Sequence, residues 1–193
     1  MRRSSLLSLT IPALLALSVV ATPLAAQTPP ATTTDTPLNT SMPVAAPADV
    51  SSMDAIMAAL YDVISGPAGK ARDWNRMRSL FVPEARMIPT RKTKEGAVRM
   101  RWMTVNDYVA TSGTRIENDG FHERELARKT DRFGNMAQVF STYDGRTDKG
   151  DYHERGINSL QLLFDGKRWW IVSIMWVGET ADTPLPADYL PKR

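Results

Sequence analysis

The stretch Arg155-Gly156-Ile157-Asn158-Ser159-Leu160-Gln161-Leu162-Leu163-Phe164-Asp165-Gly166-Lys167-Arg168-Trp169-Trp170-Ile171-Val172-Ser173-Ile174-Met175-Trp176 is two runs of branched and aromatic side chains around one turn dipeptide. Asp-Gly between alternating hydrophobic residues is a strong short-range hairpin signal, so the stretch predicts two antiparallel strands. A two-residue loop sets Phe164 against Lys167, and from there Leu162 against Trp169, Leu160 against Ile171 and Asn158 against Ser173. The other face then carries Gln161 with Trp170, Ile157 with Ile174 and Arg155 with Trp176. Large apolar groups stand on both faces, whereas an antiparallel sheet wetted on one side alternates cleanly. Helices can cover one face. A second copy of the chain is the economical cover for the other, across Arg155, Ile157, Gln161, Trp170, Ile174 and Trp176, so a homodimer is expected.

Upstream, Phe121–Thr130 and Met136–Arg146 have the same β-like texture, separated by Arg132-Phe133-Gly134-Asn135 and followed by Thr147-Asp148-Lys149-Gly150. Before them the period changes. Ile56, Met57, Leu60, Val63 and Ile64 recur at helical spacing behind Ser52, and Gly66-Pro67 stops that helix. Asp73 opens a second pattern of Trp74, Met77, Leu80 and Phe81, which Val82-Pro83 ends. Val105, Tyr108 and Val109 predict a third helix, weakened by Gly113. Helices first and antiparallel strands later is an α+β plan with the helices on one face of a sheet.

Glu123-Arg124-Glu125-Leu126, Ser141-Thr142-Tyr143, Arg155 to Leu162 and Asp165 to Val172 resemble the C-terminal strands of the nuclear transport factor 2-like superfamily. Ser79-Leu80-Phe81-Val82-Pro83-Glu84-Ala85 is similar to that superfamily's passage from helix into first strand, and the resemblance covers about residues 53–179. It implies a cone-like α+β fold, with three N-terminal helices packed on a strongly curved antiparallel β-sheet and a pocket between them. The SnoaL-like and ketosteroid isomerase-like branches include isomerases, dehydratases and cyclases beside members with no chemistry. No branch-specific catalytic motif is present, so no catalytic residue carries over. Exported bacterial members of unassigned function are the relatives this resemblance implies.

The N-terminus supports that expectation. Arg2-Arg3, an apolar run from Leu6 to Ala21 and the small-residue exit Pro23-Leu24-Ala25-Ala26 read as a secretory signal peptide over residues 1–26, which places the mature chain in the periplasm or outside the cell. Residues 27–51 are a Pro/Thr/Ala-rich tract with almost no large apolar group, read as a disordered linker. The domain is expected over residues 52–180, and the prolines of residues 181–193 mark an irregular tail. The 193 residues carry a formal charge of +3, and removing residues 1–26 leaves 22 basic against 21 acidic side chains. Signs are interleaved, so no nucleic-acid partner is expected, nor a membrane once the signal is removed. The absence of cysteine excludes disulfides, zinc-thiolate sites and thiol catalysis.

For chemistry the sequence offers little. If the turn at residues 132–135 pairs Asp131 with Met136, then His122 falls on one strand face with Tyr143 and Ser141, and the last hairpin adds Asn158 and Ser173. His122, Tyr143, Asn158 and Ser173 are therefore the candidate pocket residues, among apolar neighbours that suit a small apolar ligand. His153, beside Asp151 and Glu154, reads as a solvated loop residue. No ligand-like spacing joins the histidines to a carboxylate, and no phosphate loop or dinucleotide motif occurs, so no metal and no cofactor are expected. Arg86, Arg91, Lys92, Lys94, Arg99 and Arg101, near Trp102, read as a solvated strand edge. Two functions follow: an exported small-molecule-binding or non-enzymatic module, or a cofactor-free isomerase, dehydratase or cyclase using His122 and Tyr143 as acid and base.

Overall fold

Pro47 suits a first helical turn because its missing amide hydrogen has no partner to lose there, and a short helix, α1, runs over Pro47–Val50. The computed structural model describes residues 42–192 together with Leu38; the expected signal peptide lies outside the described residues. Val50 is buried, Leu38, Met42 and Ala45 pack on the core, and Asp49 takes a two-pronged grip from Arg76 at 2.8 and 2.9 Å. The folded unit therefore begins before residue 52, inside the tract read as linker. The reason is small in scale: a few apolar side chains and one arginine fork suffice to hold a proline-rich segment.

Ser52 caps α2 (Met53–Ile64) by accepting from the Ala55 amide, and Asp73 caps α3 (Trp74–Ser79) by accepting from that of Arg76. A Thr104–Asp107 capping box starts α4 (Val105–Tyr108), which continues through a wider π turn at Val109–Gly113 into α5 (Thr114–Asp119). Gly113 does not end this helix. A side chain there would press on the Trp74 ring, so glycine lets the two elements approach. Gly120, at φ +67°, ends it instead.

Six strands form one sheet in the order β2-β1-β6-β5-β4-β3: β1 (Phe81–Lys92), β2 (Val98–Met100), β3 (His122–Phe133), β4 (Met136–Arg146), β5 (His153–Phe164) and β6 (Trp169–Gly178). The α+β plan stands, with one amendment to the antiparallel expectation: β1 runs parallel to β6, so the sheet is mixed. Irregular pairing at residues 82–85 of β1, at Leu126 of β3 and at Val172 of β6 bends it. α2 lies against the concave side, where Ile56, Met57 and Leu60 meet Val139, Leu160, Leu162 and Ile171.

Turn lengths correct the expected registers. The last hairpin closes over four residues, with Asp165 Oδ1 accepting from the amides of Lys167 and Arg168, so Phe164 faces Trp169. The bulge at Val172 adds one further residue and reverses the alternation beyond it. Asn158 consequently faces Trp176 rather than Ser173, and Leu160 faces Ile174. The six residues expected on one outer face are therefore divided. Trp176 and Ile174 point inward, the latter 5% exposed, while Arg155, Ile157 and Gln161 stay outward. Trp170 is 3% exposed because the Arg168 guanidinium lies 3.6 Å from its ring centre and Asp165 accepts its Nε1 hydrogen.

The outer face of β3 and β4 also has a cover within the chain. Residues 181–192 are largely irregular, as expected, but they pack: Tyr189 stacks at 5.8 Å on Phe140 and under the Lys129 ammonium, and its carbonyl accepts from Thr142 Oγ1 at 2.6 Å. Glu179 fixes the start of this return by binding Arg155 and the Leu185 amide.

Gly156 is the tightest point of the sheet. A Cβ there would strike the Val177 carbonyl oxygen and the Tyr143 ring, neither of which can yield. Gly156→Ala should cost about 2 kcal/mol or more in urea unfolding. Gly134→Ala, at φ +56° with open space around it, should cost about 1 kcal/mol.

Candidate functional site

Between the helices and the concave side of the sheet lies a cavity of about 140 Å³. By comparison, an enclosed void of roughly 150 Å³ holds one benzene. Its inner wall is apolar, from Leu60, Ile64, Met77, Met87 and Ile174, and its rings are Tyr108, Phe121, Tyr143, Tyr152 and Trp176. The polar groups are few: Glu123, Glu154 and Asn158 from the strands, and Arg115 and Asp119 from α5.

Glu123 reaches this cavity because the end of α2 is stitched to the start of β3. Gly66 and Phe121 exchange backbone hydrogen bonds at 2.7 and 3.0 Å, Ser65 Oγ donates to the Glu123 carbonyl, and the Glu123 amide donates back to Ser65 Oγ at 2.9 Å. On the strand itself, the bulge at Leu126 leaves Glu125 opposite Tyr143 and Glu123 opposite Gly145, so both carboxylates share the inward face with Tyr143. Gly145 leaves room above the Phe121 ring.

Inside, Asn158 Nδ2 donates to Tyr61 Oη at 3.1 Å and to Glu123 Oε1 at 3.3 Å. Tyr61 shares a 2.7 Å bond with Ser141, which donates at 2.5 Å to Glu125 Oε1. Arg128 holds the other oxygen of Glu125. A continuous polar seam thus crosses the core, and every member has a partner, as a buried network requires. On the cavity's other side Tyr143 donates to Glu154 Oε1 at 2.6 Å.

Burial pushes the Glu123 carboxyl up to about 7; the nearby Glu154 charge acts in the same direction, and the Asn158 hydrogen bond opposes both. The hydroxyls of Tyr108, Tyr143 and Tyr152 are all held above the usual phenol range, chiefly by burial, with Glu154 reinforcing it for the last two. The site therefore offers one carboxyl that exchanges its proton near neutrality, beside hydroxyls that stay protonated and can only donate or accept hydrogen bonds.

Of the four residues expected in a pocket, Tyr143 and Asn158 line the cavity and His122 and Ser173 do not. His122 has 44% of its side-chain surface exposed and binds Asp148 at 2.8 Å, whose other oxygen takes the Ala68 amide. The bulge at Leu126 turns it outward and brings its neighbour Glu123 inward. Ser173 faces Gln161 on the outer side for the corresponding reason, the bulge at Val172. His153 lies at the surface against Asp144. Sequence reasoning misses Glu123, Glu154, Tyr108 and Tyr152. Tyr108 alone carried a signal, its place on the apolar stripe of the third helix. Among the described residues no group of three histidine or carboxylate side chains forms a metal-ligand set.

No protein-family model matches this chain, and no curated protein matches it. Solved structures do. A nuclear transport factor 2-like protein of unknown function from Silicibacter pomeroyi DSS-3 is 15% identical, the match covering 67% of this chain and 94% of that one at a TM-score of 0.48. A superfamily protein of the same name from Salmonella enterica serovar Typhimurium is 17% identical, covering 68% and 87% at 0.47. One from Pseudomonas aeruginosa, also of unknown function, is 13% identical, covering 64% and 92% at 0.45. The likeness is one of fold. These structures bear the superfamily name that the strand motifs resemble.

Ionising Glu123 is harder in the folded chain than in the unfolded one. The penalty is absent below about pH 4.5, grows as pH rises and is complete above about 7. Glu123→Gln should therefore raise stability at pH 8 by roughly 2 kcal/mol and change it little at pH 4. Urea unfolding of both proteins at the two pH values checks the sign; equal differences at pH 4 and pH 8 would contradict it.

Proposed function

We propose that this chain is a small-molecule-binding module whose cone cavity takes a compact, largely apolar molecule. One observation carries the reading: a cavity of about 140 Å³ with an apolar wall, five aromatic rings and a small set of converging polar groups. Ligand sites commonly combine apolar linings with a few placed polar groups in this way. Ser112 lines the cavity from the π turn and is only half-buried, so Ser112→Phe should fill the space without breaking the core. Fragments found by ligand-observed NMR to bind the unmutated protein should bind this variant at least tenfold more weakly, at an unchanged melting temperature. Binding indifferent to Ser112→Phe, or no binding by any apolar fragment, would remove the reading.

A second reading is supported by the same cavity: cofactor-free proton transfer, with Glu123 in the role that the sequence offered to His122. A base works best when its pKa lies near the working pH, and the Glu123 carboxyl sits at about 7 in the cavity that the Tyr143 hydroxyl also lines. Its mark would be exchange of a carbon-bound proton in deuterated water, rising with pH through about 7 and falling on the order of 100-fold or more in Glu123→Gln.

We also propose that the chain is exported and loses residues 1–26, on the strength of the basic start, apolar run and small-residue exit. The intact mass of the protein recovered from a bacterial periplasm should correspond to a chain beginning at Gln27.

A further inference from the structure

Glu117 accepts from the Arg72 amide and Trp74 Nε1, while four other carboxylates withdrawn from solvent are held by arginine side chains: Asp49 by Arg76, Glu125 by Arg128, Asp144 by Arg124 and Glu179 by Arg155. Glu123 and Glu154 are not. Among the described residues neither takes part in an ion pair; the one is bound by an amide and the other by a phenol. The two acidic groups line one cavity, and the Glu154 charge adds to the cost of ionising Glu123.

The rings around them are arranged as walls. Tyr108 and Trp176 meet at 83° with centres 6.3 Å apart, and Phe121 and Tyr152 meet at 50° over the same distance. Rings set at steep angles around one space present faces and edges to it from several sides, and an aromatic face attracts a cation. A neutral occupant would leave at least one of the two carboxyls to be protonated or to ionise without compensation. An anion would add a third negative charge.

Resting on the binding reading above, we infer that the cavity is built for a small organic cation, an ammonium group bearing compact alkyl substituents. Its charge is balanced by Glu123 and Glu154, and its alkyl groups fill the space between the rings. Arg115 is the basic side chain on the lining, and it stands exposed on α5, where water screens it. Asp119, one turn along the same helix, adds a further negative charge there, with Lys149 3.9 Å away.

Binding and protonation are then linked. The groups around Glu123 are Glu154 and Asn158 from β5, Tyr143 from β4, Tyr61 from α2, Tyr108 from α4, Arg115 and Asp119 from α5, and, along a shallower groove on the far side of Tyr61, Arg124, Glu125 and Arg128 from β3 with Asp54 and Asp62 from α2. Tyr152 completes the ring from the turn before β5. Burial holds the hydroxyls of Tyr61, Tyr108, Tyr143 and Tyr152 protonated between pH 5 and pH 8, and Asn158 carries no charge. A cation should therefore bind the ionised form of Glu123 and compete with its proton.

The test uses choline and its uncharged carbon isostere, 3,3-dimethylbutan-1-ol, titrated into the full mature chain by calorimetry or NMR at several pH values. Choline should bind at least tenfold more tightly than the isostere at pH 8, and its affinity should fall about tenfold between pH 8 and pH 6. Glu123→Gln should abolish the pH dependence and reduce the preference while still binding the isostere, which shows that the cavity is intact. Equal affinity for the two compounds would overturn the cation inference and leave the binding reading standing. Failure of both compounds to bind the unmutated chain would overturn both. A choline preference unchanged in Glu123→Gln and in Glu154→Gln would place the charge recognition elsewhere and overturn the inference.

Discussion

A strand has two faces, and one extra residue exchanges them. The bulge at Leu126 performs that exchange in β3: before it Glu125 faces Tyr143, after it Ala127 faces Thr142, and Glu123 rather than His122 turns toward the helices. The Ser65 hydroxyl and the Gly66–Phe121 bridge lock this choice by tying the start of the strand to the end of α2. The chemistry of the cavity descends from this register. Were the alternation unbroken, the concave side would hold an imidazole capable of pairing with a carboxylate; with the bulge it holds a carboxyl that joins no ion pair among the described residues.

That difference has an energetic side. An acidic group withdrawn from water is costly unless paired, and the fold supplies arginines to Asp49, Glu125, Asp144 and Glu179. Glu123 instead shares its proton with solvent near neutrality and takes a single amide hydrogen bond. The surrounding structure tolerates this because its apolar contacts are extensive: Ile56, Met57, Met77, Phe81, Leu160 and Ile171 are fully buried. Local instability at a site carried by a well-packed scaffold is the usual arrangement where a binding group must stay reactive.

Much of the architecture was legible in the sequence. Ser52 and Asp73 announce two helices by cap chemistry, the apolar spacing behind them marks the packed faces, and Asp165-Gly166 locates the last turn. Side-chain period and turn residues are local signals, and they were read correctly at that level. The site was less legible because it depends on quantities that no local pattern encodes. One unpaired residue each at Leu126 and Val172 places His122 and Ser173 outside and Glu123, Ile174 and Trp176 inside. Tyr143 and Asn158 line the cavity through strand positions whose facing does not depend on those bulges. The packing of the tail has no local signal either, because the partner of Tyr189 is Phe140, nearly fifty positions earlier.

The parallel contact between β1 and β6 joins residues some ninety positions apart, and it places the first strand between β2 and the last. A chain emerging from the ribosome has nothing for Phe81–Lys92 to pair with on that side until Trp169–Gly178 has been made. The early helices meanwhile lack the concave surface they are to cover. Closing so long a loop is slow compared with making a hairpin. The polypeptide therefore cannot close its sheet until its last strand is available, and β1 keeps an unpaired edge until then.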